Sequence, residues 1–305
     1  MLDSMTSNDT QEISGFRENL RTFRIAARLG WQIEGNWADP LVFFIFTVLR
    51  PMASAFIIVV MYNVIGGGTR SDFFEYLFLS NALFVLVIGV MAGLSWTVID
   101  DRENYKMLKY IYTSPARKFA YLIGRAVAKV VIGLLTMLLL LATGIFFLGV
   151  HVDPSRVEWG WLAVYFPLGI MILSGLGIVL AGISLVIARN GGFIGEVVAG
   201  VLLLFSGAYF PPDILPGLLR EISLVMPTTY WLEAMRRAIS GGVMSVNING
   251  VTAPIAPSLA VWSNTQLLVL LGVCAVVSII GSFYFFGWIE HQAKERGMID
   301  RVTGY

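Results

Sequence analysis

The sequence predicts an all-α integral membrane protein with six transmembrane helices, an interfacial amphipathic helix before them, and an outer re-entrant hairpin between helices 5 and 6. Three observations carry this. Hydrophobic residues make up 57% of the chain and charged residues 13%, against about 45–50% and about 25% in soluble domains; mean hydropathy is +0.76. The apolar residues gather into runs close to the ~20 that cross hydrocarbon as a helix. Basic residues cluster in alternate connections, as the positive-inside rule requires.

Residues 1–15 read as a disordered polar tail. Over 16–37, Phe16, Leu20, Phe23, Ala27 and Trp31 recur at helical spacing beside Arg17, Arg21, Arg24 and Arg28. This is the pattern of an amphipathic helix in the headgroup layer, its guanidinium groups reaching lipid phosphate. Residues 38–289 form the transmembrane domain and 290–305 a cytoplasmic tail. The crossings are Leu41–Tyr62, Leu77–Ile99, a third with its apolar core at Val130–Val150, Trp161–Ala188, Phe193–Phe210 and Leu267–Ile289. Arg50 and Glu196 fall at membrane depth, where an ionised side chain faces protein, water or the headgroups. A dimer interface, a wet cavity and simple snorkelling all remain open for them.

After the fifth crossing, Pro211-Pro212 removes two backbone donors and stops the helix. Ile214–Met226 is too short to span and carries Pro216, Arg220 and Glu221. It reads as a re-entrant segment that breaks at Pro227, with Thr228–Ser240 following as an amphipathic surface helix. Gly241–Asn264 reads as a polar outer loop.

Arg17 to Arg28, Arg102 to Lys118, Arg189 and Lys294 to Arg301 fall on one side, which places both termini in the cytoplasm of a cell-membrane protein. Trp31, Trp37, Trp96 and Trp288 then mark the inner boundary, and Trp159, Trp161, Trp231 and Trp262 the outer one. No N-terminal secretory signal is legible. The net charge of +1 argues against a nucleic-acid partner.

Chemistry is sparse. Cys274, the single cysteine, sits in an apolar run and reads as a packing residue. His151 and His291 fall on opposite sides, and no paired carboxylates lie within a crossing. No catalytic, metal or cofactor site is expected. Without a G-x-x-x-x-G-K-[ST] segment, energy for uphill movement must come from a partner or an ion gradient.

The charged connection after the second crossing, DRENYKMLKYIYTSPARK, reads as a short helix over Glu103–Tyr112 with Met107, Leu108 and Ile111 on one side. Ser114-Pro115 then restarts the chain as the next helix, an N-cap followed by proline. The product is a cytosolic elbow rigidly joined to two crossings.

The order of these parts, with LFSGAYFPPDILPGLL and MPTTYWLEAMRRA after the fifth crossing, resembles the permease subunit of ABC-2 type exporters over Phe16–Ile289. The resemblance implies a coupling helix seated on a separate ABC ATPase, which binds ATP and Mg, and a second copy of the permease. On it, Asp101, Arg102, Glu103, Leu108, Tyr112, Ser114 and Pro115 are the ATPase-contacting and elbow residues. Gly207, Tyr209, Phe210, Pro211, Pro216 and Pro227 shape an outer gate. Gly169, Gly175, Gly177, Gly182, Gly195 and Gly200 permit close helix approach. Gly241–Asn264 is longer than the family's usual connection. The expected function is ATP-driven export of an amphiphile: a drug, a lipid or a lipid-linked glycan. An ATPase-independent six-helix transporter or channel is the alternative.

Overall fold

The computed structural model describes residues 2–36, 72–114, 117–150, 152–187, 191–248 and 251–297, with isolated positions between 39 and 60. Most of the first expected crossing, including Arg50, lies outside the described residues, as does Pro115.

Helix α1 runs Leu2–Asn36 and so includes the stretch expected as a disordered tail. Neither proline nor glycine precedes Gly15 to break it. Ala26 and Gly30 are buried against α4 (Lys118–Phe147), where a β-carbon on Gly124 would collide with Ala26 and the Phe23 carbonyl. Leu20, Ile25 and Trp31 stay exposed beside Arg21, Arg24 and Arg28. One face of α1 therefore grips the bundle while apolar and cationic side chains share the other.

Helix α2 (Asp72–Ile99) continues into a π-helical turn (Asp100–Asn104), and α3 is a short helix, Leu108–Thr113. The helix expected over Glu103–Tyr112 is thus two pieces, with Lys106 between them at a positive φ of 50°. After α4 come α5 (Trp159–Val186) and α6 (Phe193–Phe205). A 3-10 turn (Pro212–Ile214) leads to α7 (Gly217–Val225) and α8 (Pro227–Ser240). Strands β1 (Ser245–Ile248) and β2 (Val251–Pro254) pair antiparallel. A single turn, α9 (Pro257–Ala260), precedes α10 (Asn264–Glu295), which opens with a Ser263/Gln266 capping box.

Among the described residues, four helices are long and apolar enough to cross a membrane: Phe73–Asn104, Lys118–Phe147, Trp159–Val186 and Asn264–Glu295. Each corresponds to an expected crossing. Helix α6 has 13 residues, fewer than the ~20 of a straight crossing. It ends at Phe205 rather than Phe210.

Helix α5 sits centrally, packed on α2 and α10, while α4 lies between α2 and α1. Small residues permit this: β-carbons on Gly175, Gly177 and Gly182 would strike Ser278, Leu94 and Ile289. Gly200 faces open space and serves no such approach.

Three expectations require correction. Thr228–Ser240 is not a surface helix, for every residue of α8 from Thr228 to Ala238 is buried. Its charges are paired within the helix, where Glu233 accepts from Arg236 at 2.9 Å and Arg237 at 2.8 Å; Arg237 also donates to the carbonyls of Leu259 at 2.7 Å and Trp262 at 2.6 Å, while Thr228 Oγ1 and Arg236 Nε are left without a partner. A charged helix can be buried once its charges are paired. Trp231, expected in the outer aromatic belt, is 1% exposed. It packs on Gly169, where a β-carbon would overlap the indole, and its Nε1 donates to the Tyr165 carbonyl at 3.0 Å. Gly241–Asn264, expected as loop, carries the β-hairpin.

Candidate functional site

The elbow is held from inside. Asp101 and Arg102 are buried in the π-helical turn. Arg102 Nη1 donates to the carbonyls of Ser184 and Leu185 at 3.4 Å and Nη2 to that of Ile187 at 3.3 Å. These are unpaired carbonyls at the end of α5, where a cation also meets the negative end of the helix dipole. Ser95 and Ser184 hydroxyls bond at 2.8 Å, and Ser184 donates to the Gly191 carbonyl at 3.0 Å. The turn is therefore fastened to α5 and to the entry of α6.

Leu108 is buried among Val98, Tyr121, Leu122, Leu185 and Phe286. Tyr112 is half-buried, with the Lys118 and Lys294 ammonium groups 5.9 and 5.5 Å from its ring centroid. Burial, with Glu290 nearby, pushes its hydroxyl well above the ordinary tyrosine range. The Ser114 hydroxyl donates to the Ile111 carbonyl at 2.8 Å and closes α3.

Asp101, Arg102 and Leu108 are thus buried braces of the elbow, with Tyr112 and Ser114 half-buried beside them. Glu103 is half-buried and accepts from Arg102 Nε at 3.0 Å. The outward surface is Asn104, Tyr105, Lys106, Lys109, Tyr110, Thr113 and Arg117, with Tyr110 72% exposed.

A stripe on α4, unremarked in the sequence reading, joins the elbow to a cavity. The Tyr121 hydroxyl donates to Asp101 Oδ2 at 2.6 Å. Arg125 lies fully buried with Nη1 3.5 Å from Asp101 Oδ1. Lys129 pairs with Glu34 at the end of α1, and its methylenes lie against Gly93. Residues 121, 125 and 129 repeat every four positions and so share one helix face. That spacing in an apolar helix was the signal available.

Lys129 and Glu34 also line a cavity of about 430 Å³ bounded by α1, α2, α4, α6 and Tyr209. Its middle is apolar, with Phe84, Val85, Ile88, Ile132 and Leu203. Glu196 lines the elbow end and accepts a 3.2 Å bond from Trp96 Nε1. Asn81 and Thr136 line the far end. Of the two membrane-depth charges, Glu196 is thereby placed on a cavity wall.

The expected gate residues divide. Gly207, at φ +79°, turns the chain after α6, and its carbonyl accepts from Tyr76 and Arg236, each at 3.3 Å. The Arg236 guanidinium stacks 4.2 Å from the Tyr76 ring centroid and donates to Ser80 at 2.9 Å. Tyr209 lines the cavity. Pro211 is buried, Phe210 and Pro216 are exposed and Pro227 is half-buried. Helix α7 folds back beside α6, with the Ser223 hydroxyl on the Phe205 carbonyl and Thr229 on the Ser223 carbonyl at 2.7 Å. Glu233, Arg236, Arg237 and Trp231 are the residues of this region that the sequence reading passed over.

Among the described residues no group of three metal-ligating side chains occurs. No curated protein matches the chain significantly. The family model of ABC-2 type transporters matches residues 25–239, and permeases of that family normally pair with an ABC ATPase subunit. That match covers well over half of the chain, taking in the elbow, the α4 stripe, the cavity walls and α8. With the four apolar helices of the bundle, it makes this chain a member of the ABC-2 type transporter family, the multi-pass membrane permease component of an ABC transporter.

Proposed function

We propose that this chain is the permease of an ATP-driven exporter that moves an amphiphile, whether drug, lipid or lipid-linked glycan, out across the cell membrane. Two copies work with two ATPase subunits, which bind ATP and Mg; this chain binds no cofactor. Both termini and the elbow face the cytoplasm. The observation that supports this best is the continuity of the α4 stripe, because one helix carries both a brace of the elbow, Arg125, and a wall of the cavity, Lys129.

The outward face of the elbow, Tyr105, Lys109 and Tyr110, seats on the ATPase. Closure of the ATPase pair pushes the π-helical turn. Asp101 transmits that push to Tyr121 and Arg125, and Arg102 transmits it to the end of α5. Because these contacts are buried and close-packed, the push moves helices as rigid bodies and does not dissipate in side-chain motion. The cavity wall shifts with α4, and the substrate leaves past the Gly207 turn and α7, which acts as the outer re-entrant gate.

The test is co-purification of an ABC ATPase with the tagged chain, followed by ATP hydrolysis in proteoliposomes. Tyr110→Asp is expected to weaken association at least about tenfold while the permease retains its thermal unfolding temperature. Glu103→Ala is expected to lower hydrolysis with association retained. If no ATPase binds, or Tyr110→Asp binds as wild type does, the coupling reading is lost.

A further inference from the structure

The cavity is graded along its length, and the grading specifies a ligand. At its elbow end stand three charges among the described residues: Glu34, Lys129 and Glu196. Lys129 is committed to Glu34. Glu196 accepts only the neutral Trp96 indole N–H, and no described cation pairs with it. Among the described residues, the wall there has one carboxylate without a paired cation.

Along α2 the floor then becomes apolar through Ile88, Val85 and Phe84. Gly93, against which Lys129 lies, and Asn81 are separated by about 18 Å at 1.5 Å per residue. At the far end Asn81 is 4% exposed, and its Oδ1 has no hydrogen-bond partner. A buried acceptor left unpaired costs free energy that an incoming polar group recovers.

We infer that this cavity binds a single-chain cationic amphiphile lengthwise, its positive head against Glu196, its chain along the apolar floor and a hydroxyl at its far end donating to Asn81 Oδ1. This inference rests on the transport reading above and names its substrate class. An anionic head would be repelled by the Glu196 carboxylate, and a neutral one would leave it without a counter-charge on the exposed wall of the cavity. A compact cation would leave the floor and Asn81 uncovered. Volume agrees, since small-molecule sites occupy about 300–1,000 Å³.

The experiment is equilibrium binding of radiolabelled 12-hydroxydodecyltrimethylammonium to the full chain in phosphatidylcholine nanodiscs, with empty nanodiscs subtracted. Saturable binding is expected, displaced at least about tenfold less well by a neutral dodecyl glycoside. Glu196→Gln should weaken the cation about tenfold, and Glu196→Asp should restore most of it. Asn81→Asp places a second carboxylate at the far end. It should raise affinity for 1,12-bis(trimethylammonium)dodecane about tenfold over wild type, a gain that misfolding cannot produce. Equal affinity for the cation and the neutral glycoside, an unchanged Glu196→Gln, or no gain in Asn81→Asp would each overturn the inference. Because no ATPase is present, retained cation binding without ATPase coupling sinks the exporter reading alone. Coupled transport without charge selectivity sinks this inference alone.

Discussion

The Tyr121 hydroxyl donates a 2.6 Å hydrogen bond to Asp101 Oδ2, joining the turn after α2 to the first turn of α4 inside the protein. One helical turn further along, the buried Arg125 guanidinium faces the same carboxylate at 3.5 Å. The elbow is therefore a braced corner whose angle is set by three buried side chains.

Asp101→Asn should strand Arg125 as a buried cation, a loss of about 3–5 kcal/mol. Combining it with Arg125→Met should recover a large part, since removing both charges avoids the unpaired state. Apparent unfolding temperatures of the two single variants and the double variant measure the coupling. Strictly additive losses would show that the two groups do not interact.

Gly169→Ala should cost about 1–3 kcal/mol, because its new methyl overlaps the Trp231 indole. With a smaller side chain opposite, in a Trp231→Leu background, the same glycine substitution should cause less additional loss than it does alone. Thermal unfolding of the two single variants and the double variant checks this, and a neutral Gly169→Ala would contradict the close approach of α5 and α8.

Glu233 gives a pH signature. Burial alone would raise its carboxyl, but Arg236 and Arg237 reverse that and hold it below its ordinary value of 4.5. A folded-state value below the unfolded one means that the stabilisation is complete above about pH 4.5. It is lost as pH falls further, through the folded value. Unfolding temperature between pH 7 and pH 3 should fall more steeply in wild type than in Glu233→Gln. Parallel profiles would mean that the carboxylate contributes no such linkage.

Arg102→Gln should release the end of α5 by losing the charged donors to the Ser184, Leu185 and Ile187 carbonyls. The expected cost is about 1.5–3 kcal/mol, accompanied by faster amide hydrogen exchange over the last turn of α5 than elsewhere in that helix. Uniform exchange along α5 would remove Arg102 from its capping role.

Much of this was legible beforehand because membrane insertion acts on local composition. The four apolar helices and the charged elbow after α2 follow from run length and charge, whereas the break expected at Pro211-Pro212 falls earlier, after Phe205 at the Gly207 turn. The β-hairpin left a local trace too, since the Asn249-Gly250 dipeptide between Ile248 and Val251 is a strong hairpin signal. It was hidden by the loop-like composition around it.

By itself, then, the sequence determined where the chain turns apolar and on which connections charge accumulates, because each depends on neighbours within a few residues. Only the tertiary structure decided that α8 is buried, that Arg102 and Asp101 point inward, and that Glu196 shares a cavity with Asn81 and Lys129. An amphipathic pattern states that a helix has two faces and leaves open what each face meets. For α8 the apolar side met Tyr165 and Gly169, and the polar side met its own Glu233 and the carbonyls of Leu259 and Trp262. Those partners lie 22 to 66 residues away in the chain, apart from Glu233 itself, and only packing brings them together.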